Sequence, residues 1–242
     1  MAYSPPPRVD VATLAVLAIL SEGQSHPYEI THQVRVRYQD ELEGHTARSL
    51  YRAVDRLADE GLIEVAETVR EGRRPERTVY RITEEGRSHL RYQLTDLLSN
   101  PRLGPQAFQA AIARLGYLSE TEAVTALEVR LGALEGLVAH HRAAHRSLRE
   151  RSRLPRLFLL EVEWRLHQME AEIAFVTATV AAIRSRQLDV EQDWLQGLAQ
   201  TGAHLPDLTG VPPERVPLAV RASLSVAAGG DRRSENRTPE ES

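Results

Sequence analysis

Apolar positions recur at helical spacing along most of this chain, with one short stretch in which they alternate instead. Residues 11–20 are apolar almost all round. Leu14, Leu17 and Ala18 share a face, and Val16, Ile19 and Leu20 broaden it, which predicts a central core helix with Asp10 as its cap and Gly23 closing it. His26-Pro27-Tyr28-Glu29-Ile30 opens a second helix, with Ile30, Val34 and Tyr38 inward. A third helix starts at Thr46. At about 100° per residue, Leu50, Ala53, Val54 and Leu57 fall on one side, and Arg48, Arg52 and Arg56 form an i, i+4, i+8 stripe on the other. Gly61 stops it.

Alternation follows. Residues 62–69 read as a strand with Ile63, Val65 and Val69 on one face. Residues 70–76 read as a turn with three arginines, and residues 78–82 as the returning strand with Tyr80 and Ile82 on one face. Thr83 caps a fourth helix, with Glu84 and Glu85 at the positive end of its dipole and Leu90, Leu94, Leu97 and Leu98 inward. Helix, helix, helix, hairpin is the order of a winged helix-turn-helix.

Asn, Pro and Gly cluster at 99–105 and mark a boundary. A short helix over 106–115 turns Phe108, Ile112 and Leu115 inward. Ser119 and Glu122 fit a capping box. Two long helices then carry heptads. Val124, Leu127, Leu131, Leu134, Val138, His141, His145 and Leu148 alternate by three and four, as do Leu159, Val162, Leu166, Met169, Ile173, Val176, Val180 and Ile183. Pro155 marks the start of the second. Such a pair predicts an antiparallel hairpin. Phe158, Trp164 and Phe175 lie off the strict seam and call for another surface, which a partner chain supplies. Residues 190–199 read as a short helix with Trp194 and Leu198, and a Pro-, Gly- and Ser-rich tail follows.

Composition narrows the function. The chain has 242 residues, 42% of them hydrophobic, with a formal net charge of -4. That charge weighs against a polyanionic partner, but clustering on one face matters more than the sum. All the basic residues are arginines. No cysteine is present, which excludes disulfides, thiolate metal sites and cysteine nucleophiles. No apolar run approaches the roughly 20 residues a membrane span needs, and no signal peptide is evident, so the expected location is cytoplasmic with no membrane partner.

The third helix has two readings. Its first half presents Thr46, Arg48, Ser49, Tyr51 and Arg52, while Asp55 and Asp59 lie toward its end. A recognition helix has this polarity, since its first turns enter the major groove. The plainer reading is a solvated helix laced with arginine–aspartate pairs. The hairpin favours the first, because Arg73 and Arg74 at a wing tip meet phosphates or the minor groove. A solvated charged turn is the alternative for these two. The candidate DNA-binding residues are therefore Thr46, Arg48, Ser49, Tyr51, Arg52, Arg56, Arg73 and Arg74. Tyr80 reads as core.

Catalytic chemistry is not indicated. His141 and His145 are one turn apart, a spacing that can hold zinc, but they occupy heptad positions, where a polar group fixes register. Glu161 and Glu163 lie on different helix faces, and neither a nucleophile elbow nor a phosphate loop is present. No cofactor and no metal is expected. Trp164 reads as an interface residue, with an effector pocket as the rarer alternative.

His26-Pro27-Tyr28-Glu29-Ile30, Ser49-Leu50-Tyr51-Arg52-Ala53-Val54, Glu60-Gly61-Leu62-Ile63 and Tyr80-Arg81-Ile82-Thr83-Glu84-Glu85-Gly86 together resemble the PadR family of transcriptional regulators over residues 11–90. Pro27 and Arg52 replace the glycine and proline usual in that pattern. The two long helices, with Leu154-Pro155-Arg156-Leu157-Phe158-Leu159-Leu160-Glu161-Val162-Glu163, are similar to the larger members with a virulence-activator-like helical C-terminal domain. The resemblance implies a homodimer on a palindromic operator in double-stranded DNA, and repression relieved by a small aromatic effector. The expected architecture is mainly α. It comprises an arm at 1–9, a winged helix-turn-helix domain at 10–99, an antiparallel long-helix dimerisation domain at 105–187, and a short helix and tail at 188–242. The candidate dimerisation residues are Phe158, Val162, Trp164, Leu166, Met169, Ile173 and Val176. The competing reading is a helical interaction protein whose winged domain binds protein rather than DNA.

Overall fold

The computed structural model describes residues 10–38, 46–69, 77–151 and 155–188, without the side chains of residues 35–38, 69, 77 and 151. The expectations for Tyr38, the Val69 side chain, Arg73, Arg74, the helix at 190–199 and the tail lie outside the described residues. The described residues divide into two compact units, Val11–Arg87 and 88–188 with Asp10. The division falls inside a helix, upstream of the 99–105 turn expected to mark it.

The first unit is built on α1 (Val11–Glu22), in which every residue from Ala12 to Leu20 is buried. Small and aliphatic side chains all round let neighbours close on every side of it, and each fully buried Leu or Ile contributes about 1.5–3 kcal/mol. α2 (Pro27–Tyr38) begins at the proline, and Nδ1 of His26 accepts the Glu29 N–H at 3.0 Å. An imidazole thus serves as the cap where serine or aspartate is usual. α3 (Ala47–Asp59) follows. Gly61 closes it in the left-handed region at φ 71°, which glycine adopts without strain.

β1 (Ile63–Val69) and β2 (Arg77–Ile82) pair antiparallel, with Ile63 opposite Ile82 and Val65 opposite Tyr80. The register slips between Val65 and Glu67, leaving Ala66 as a bulge. Ile63 and Ile82 are buried, but Val65 is 54% exposed, so the expected apolar face of this strand ends after its first residue. Ser25 exchanges both backbone hydrogen bonds with Tyr80 and adds a third edge to the hairpin. A single bridging residue has no period, and the sequence gives no sign of it.

α4 (Glu84–Ser99) starts as expected, with Oγ1 of Thr83 accepting the Gly86 N–H. Gly86 is needed for space, since a Cβ there would lie 2.0 Å from the Leu62 carbonyl oxygen. Arg87 donates to the Ser21 carbonyl at 3.0 Å and ties this turn to α1.

The second unit holds the rest of α4, α5 (Pro105–Ile112), α6 (Glu120–Arg151) and α7 (Leu160–Arg184), with short 3₁₀ turns between them. Ser119 and Glu122 form the capping box of α6. α6 and α7 run antiparallel, as three cross-pairs require: Glu128 with Arg184, Arg142 with Glu170, and His145 beside Glu163. Leu134, Val138, Leu166 and Met169 form the centre of the seam, flanked by Leu137, Val162 and Ile173.

Two arginines sit inside this unit. Arg114 is fully buried and donates to the Ala110 carbonyl. Arg130, 1% exposed, pairs with Glu172 and lies 4.0 Å over the Phe108 ring. It also donates to the Leu97 and Leu98 carbonyls, two of the acceptors that a helix leaves unpaired at its end. Burial pushes its pKa down, and Glu172 holds it up. One buried guanidinium therefore joins α4, α5, α6 and α7.

Candidate nucleic-acid interface

α3 has one buried side, made by Leu50, Ala53, Val54 and Leu57. That packing fixes which side chains face out. Arg48, Tyr51, Arg52, Asp55 and Arg56 are exposed. Arg48 and Arg52 make no ion pair among the described residues, so the arginine–aspartate lacing of the plainer reading is absent at these two positions. Two uncompensated guanidiniums one turn apart, beside a phenol 43% exposed, can donate to phosphate oxygens or base edges.

The other α3 candidates have different work. Oγ1 of Thr46 accepts the Ser49 N–H at 3.1 Å, and Oγ of Ser49 accepts the Thr46 N–H at 3.0 Å. The Ser49 hydroxyl also donates to the Thr46 carbonyl at 2.7 Å. These two side chains close the helix start reciprocally, and the donor of the Ser49 hydroxyl is used there. The Ser-for-Glu variant of the capping box is readable in Thr46 and Ser49 once the helix start is placed. Arg56 donates to Oγ1 of Thr13 and braces α3 against α1. Its position on the stripe suggested solvent, but its long side chain reaches back to the core helix.

Around α3 the structure adds Tyr28, 69% exposed in the first turn of α2 with its ring edge-on to His26. Tyr80, expected as core, is half-buried, although its backbone is paired on both sides, with Val65 and with Ser25. Arg81 is paired with Glu64 across the hairpin at 2.7 Å, which neutralises the described arginine of the wing whose side chain is seen.

The candidate dimerisation residues divide. Leu166, Met169 and Val176 are buried by their own chain, and Val162 and Ile173 pack half-buried on the same seam. A strict heptad yields one stripe per helix, and α6 already covers the stripe of α7. Phe158 and Trp164 remain outside, 67% and 65% exposed, together with Leu157 and Phe175. Phe175 meets Phe108 edge-on within the same unit.

Among the described residues no group of three or more His, Asp or Glu could hold a metal ion. His141 and His145 are partly buried heptad residues, and His145 lies beside Glu163. Among the same residues no helix is long and apolar enough to cross a membrane.

Residues 16–92 match the transcriptional regulator PadR-like family, a span from α1 to the middle of α4. No curated protein matches the chain. Solved structures similar to it include PadR of Bacillus subtilis in complex with operator DNA, 20% identical, with 72% of this chain and 99% of that one covered at a TM-score of 0.33. A second is smu.1604c of Streptococcus mutans UA159, 19% identical, with 70% and 98% covered at a TM-score of 0.30. A third is Bacillus subtilis PadR in complex with p-coumaric acid, 19% identical, with 72% and 99% covered at a TM-score of 0.31.

Proposed function

We propose that this chain, whose residues 16–92 are a PadR-like transcriptional regulator domain, is a sequence-specific repressor that binds a palindromic operator as a homodimer and responds to a small aromatic effector. The observation that carries the DNA-binding part is the outer face of α3, where Arg48, Tyr51 and Arg52 stand exposed and the two arginines lack carboxylate partners among the described residues. Burying Leu50, Ala53, Val54 and Leu57 fixes that face, so the backbone that carries the donors is ordered before binding.

A dimer follows from the geometry of DNA. One winged unit covers a single half-site, and two recognition helices read a palindrome when they lie about 34–36 Å apart. Phe158 and Trp164 offer the apolar surface for the second copy, with Leu157 beside them. The aromatic effector is what the family resemblance implies.

The test is selection of genomic fragments by the purified chain, followed by a salt titration on the fragments retained. The expected result is a footprint with twofold symmetry, and an affinity whose log falls with log salt by about 0.9 per phosphate contacted. No retention at low salt would sink the DNA reading and favour a winged domain that binds protein.

A further inference from the structure

We propose that Arg130 is a positioning residue for α3. It caps α4 from outside, and so makes the start of α4, and with it the end of α3, follow the state of the α6–α7 hairpin.

A helix leaves its last carbonyls unpaired and carries negative partial charge there. α4 has no basic residue in its last turn to answer that charge. The Asn100 backbone N–H takes the Asp96 carbonyl at 3.0 Å. The Leu97 and Leu98 carbonyls, on two buried residues, accept from Nη1 of Arg130 at 3.4 and 3.3 Å. The cap of α4 therefore belongs to α6. Its guanidinium cannot move alone, because Glu172 of α7 accepts from its Nε and the Phe108 ring lies 4.0 Å from its Cζ.

The start of α4 is fastened as closely to the end of α3. Leu62, one residue beyond the Gly61 that closes α3, donates to the Leu57 carbonyl at 2.9 Å. Its own carbonyl accepts the Thr83 N–H at 3.1 Å, and the Thr83 hydroxyl is shared between the Gly61 and Leu62 carbonyls at 3.0 Å from each. At Gly86 the helix lies too close to that Leu62 carbonyl for any side chain. Most of these groups are backbone, which has no rotamer to absorb a displacement. One continuous helix of 16 residues thus has its first turn bonded to the segment that ends α3 and its last turn bonded to a side chain shared with α7. A shift of α7 moves Glu172, Glu172 moves the guanidinium, and the guanidinium moves α4.

The consequence for operator binding rests on the DNA-binding reading. The coupling does not, and it is measured without DNA, by amide hydrogen exchange of the full-length chain. Leu166→Ala loosens the α6–α7 seam, and Val162→Ala is the milder probe of the same seam. Each is made in the unsubstituted chain and in Arg130→Met with Glu172→Leu, which fills both positions with apolar groups and removes the cap. The amides read are those of Thr83, Gly86 and Arg87. Loosening the seam should speed their exchange about tenfold beside Arg130 and less than about twofold without it. Arg130→Lys, which has lost the planar fork, should keep only part of the difference, and it carries the same cycle if the double variant does not fold. A purely structural arginine would stabilise the helical unit and leave no difference between the two backgrounds. The proposal is overturned if the seam variants leave these three amides unchanged beside Arg130, or speed them equally with and without it. Either result leaves the DNA-binding reading standing.

Discussion

In the winged unit Arg48 and Arg52 stand in solvent while the helix beneath them, α1, is buried from Ala12 to Leu20. In the helical unit Arg114 and Arg130 are inside, and Trp164 and Phe158 are outside. At these positions the two residue classes have exchanged places, although Arg142, Arg165 and Arg184 of the helical unit stay exposed. An arginine left in water keeps its hydration until a polyanion replaces it, so it is available for binding and adds little to stability. An arginine taken inside has lost that hydration and must be repaid in place. Arg130 is repaid by Glu172, two helix-end carbonyls and an aromatic ring. Exposed aromatics follow the converse logic, since their burial awaits a second surface. One unit therefore holds charge ready for a partner, and the other holds apolar area ready.

The comparison is most sharply tested at Arg130. Arg130→Ala leaves two α4 carbonyls and Glu172 without their donor, together with a cavity beside Phe108. The expected loss is about 3–5 kcal/mol in urea unfolding of the second unit. Arg130→Met with Glu172→Leu removes both charges and should recover most of that loss. If Arg130→Ala costs no more than a surface substitution, the buried arginine is not a joint.

Gly86→Ala tests the winged unit by overpacking. Its Cβ would meet the Leu62 carbonyl oxygen at 2.0 Å, and both atoms belong to backbone. A cost of about 1–3 kcal/mol is expected, read as a lower melting temperature. An unchanged melting temperature would mean that the start of α4 is free to shift.

Trp164→Ser should leave the unfolding of the chain nearly unchanged, because the side chain is 65% exposed. Its expected effect is on assembly, a weakening of the proposed dimer by about 2 kcal/mol in sedimentation equilibrium. Leu166→Ala should do the reverse and act first on the fold, since Leu166 lies in the intrachain seam. If the two variants behave alike, the division between seam and outer face is wrong. Arg52→Ala extends the test to the other unit. It should cost less than about 0.5 kcal/mol of stability and about 1–3 kcal/mol of DNA affinity.

How much of this was legible in the sequence depended on whether a feature repeats. The α1 core, the buried side of α3 and the α6–α7 seam all rest on periodic side chains, and the structure places them as the spacing predicts. The caps at Thr46, Thr83 and Ser119 were legible because a cap has a fixed offset to its partner. Single long-range contacts were not. Arg56 reaching Thr13, Ser25 pairing with Tyr80, and Arg130 gripping Leu97 and Leu98 join residues whose separation has no period. The heptad also fails to say which chain fills it: Leu166 and Met169, candidates for a partner's surface, pack against Leu134 and Val138 of their own α6.

The smallest expected effect concerns charge that is neither buried nor free. Glu122 accepts the Ser119 backbone N–H at 2.9 Å and the Ser119 hydroxyl at 2.7 Å. The backbone bond, more than the hydroxyl, holds its pKa below the ordinary 4.5. A carboxyl with a depressed folded pKa binds fewer protons folded than unfolded. Its stabilisation is therefore complete above that ordinary value and is lost as the pH falls through the folded one. The measurement is the stability of the chain and of Glu122→Gln from about pH 7 to about pH 3, expressed as their difference. That difference should favour the unsubstituted chain at neutral pH and shrink in acid. Ser119→Ala keeps the backbone bond and removes only the weaker cause, so it should reduce the acid dependence by less than half. A larger reduction would assign the α6 cap to the serine hydroxyl, and with it a helix start that depends on a side chain, as α3 depends on Thr46.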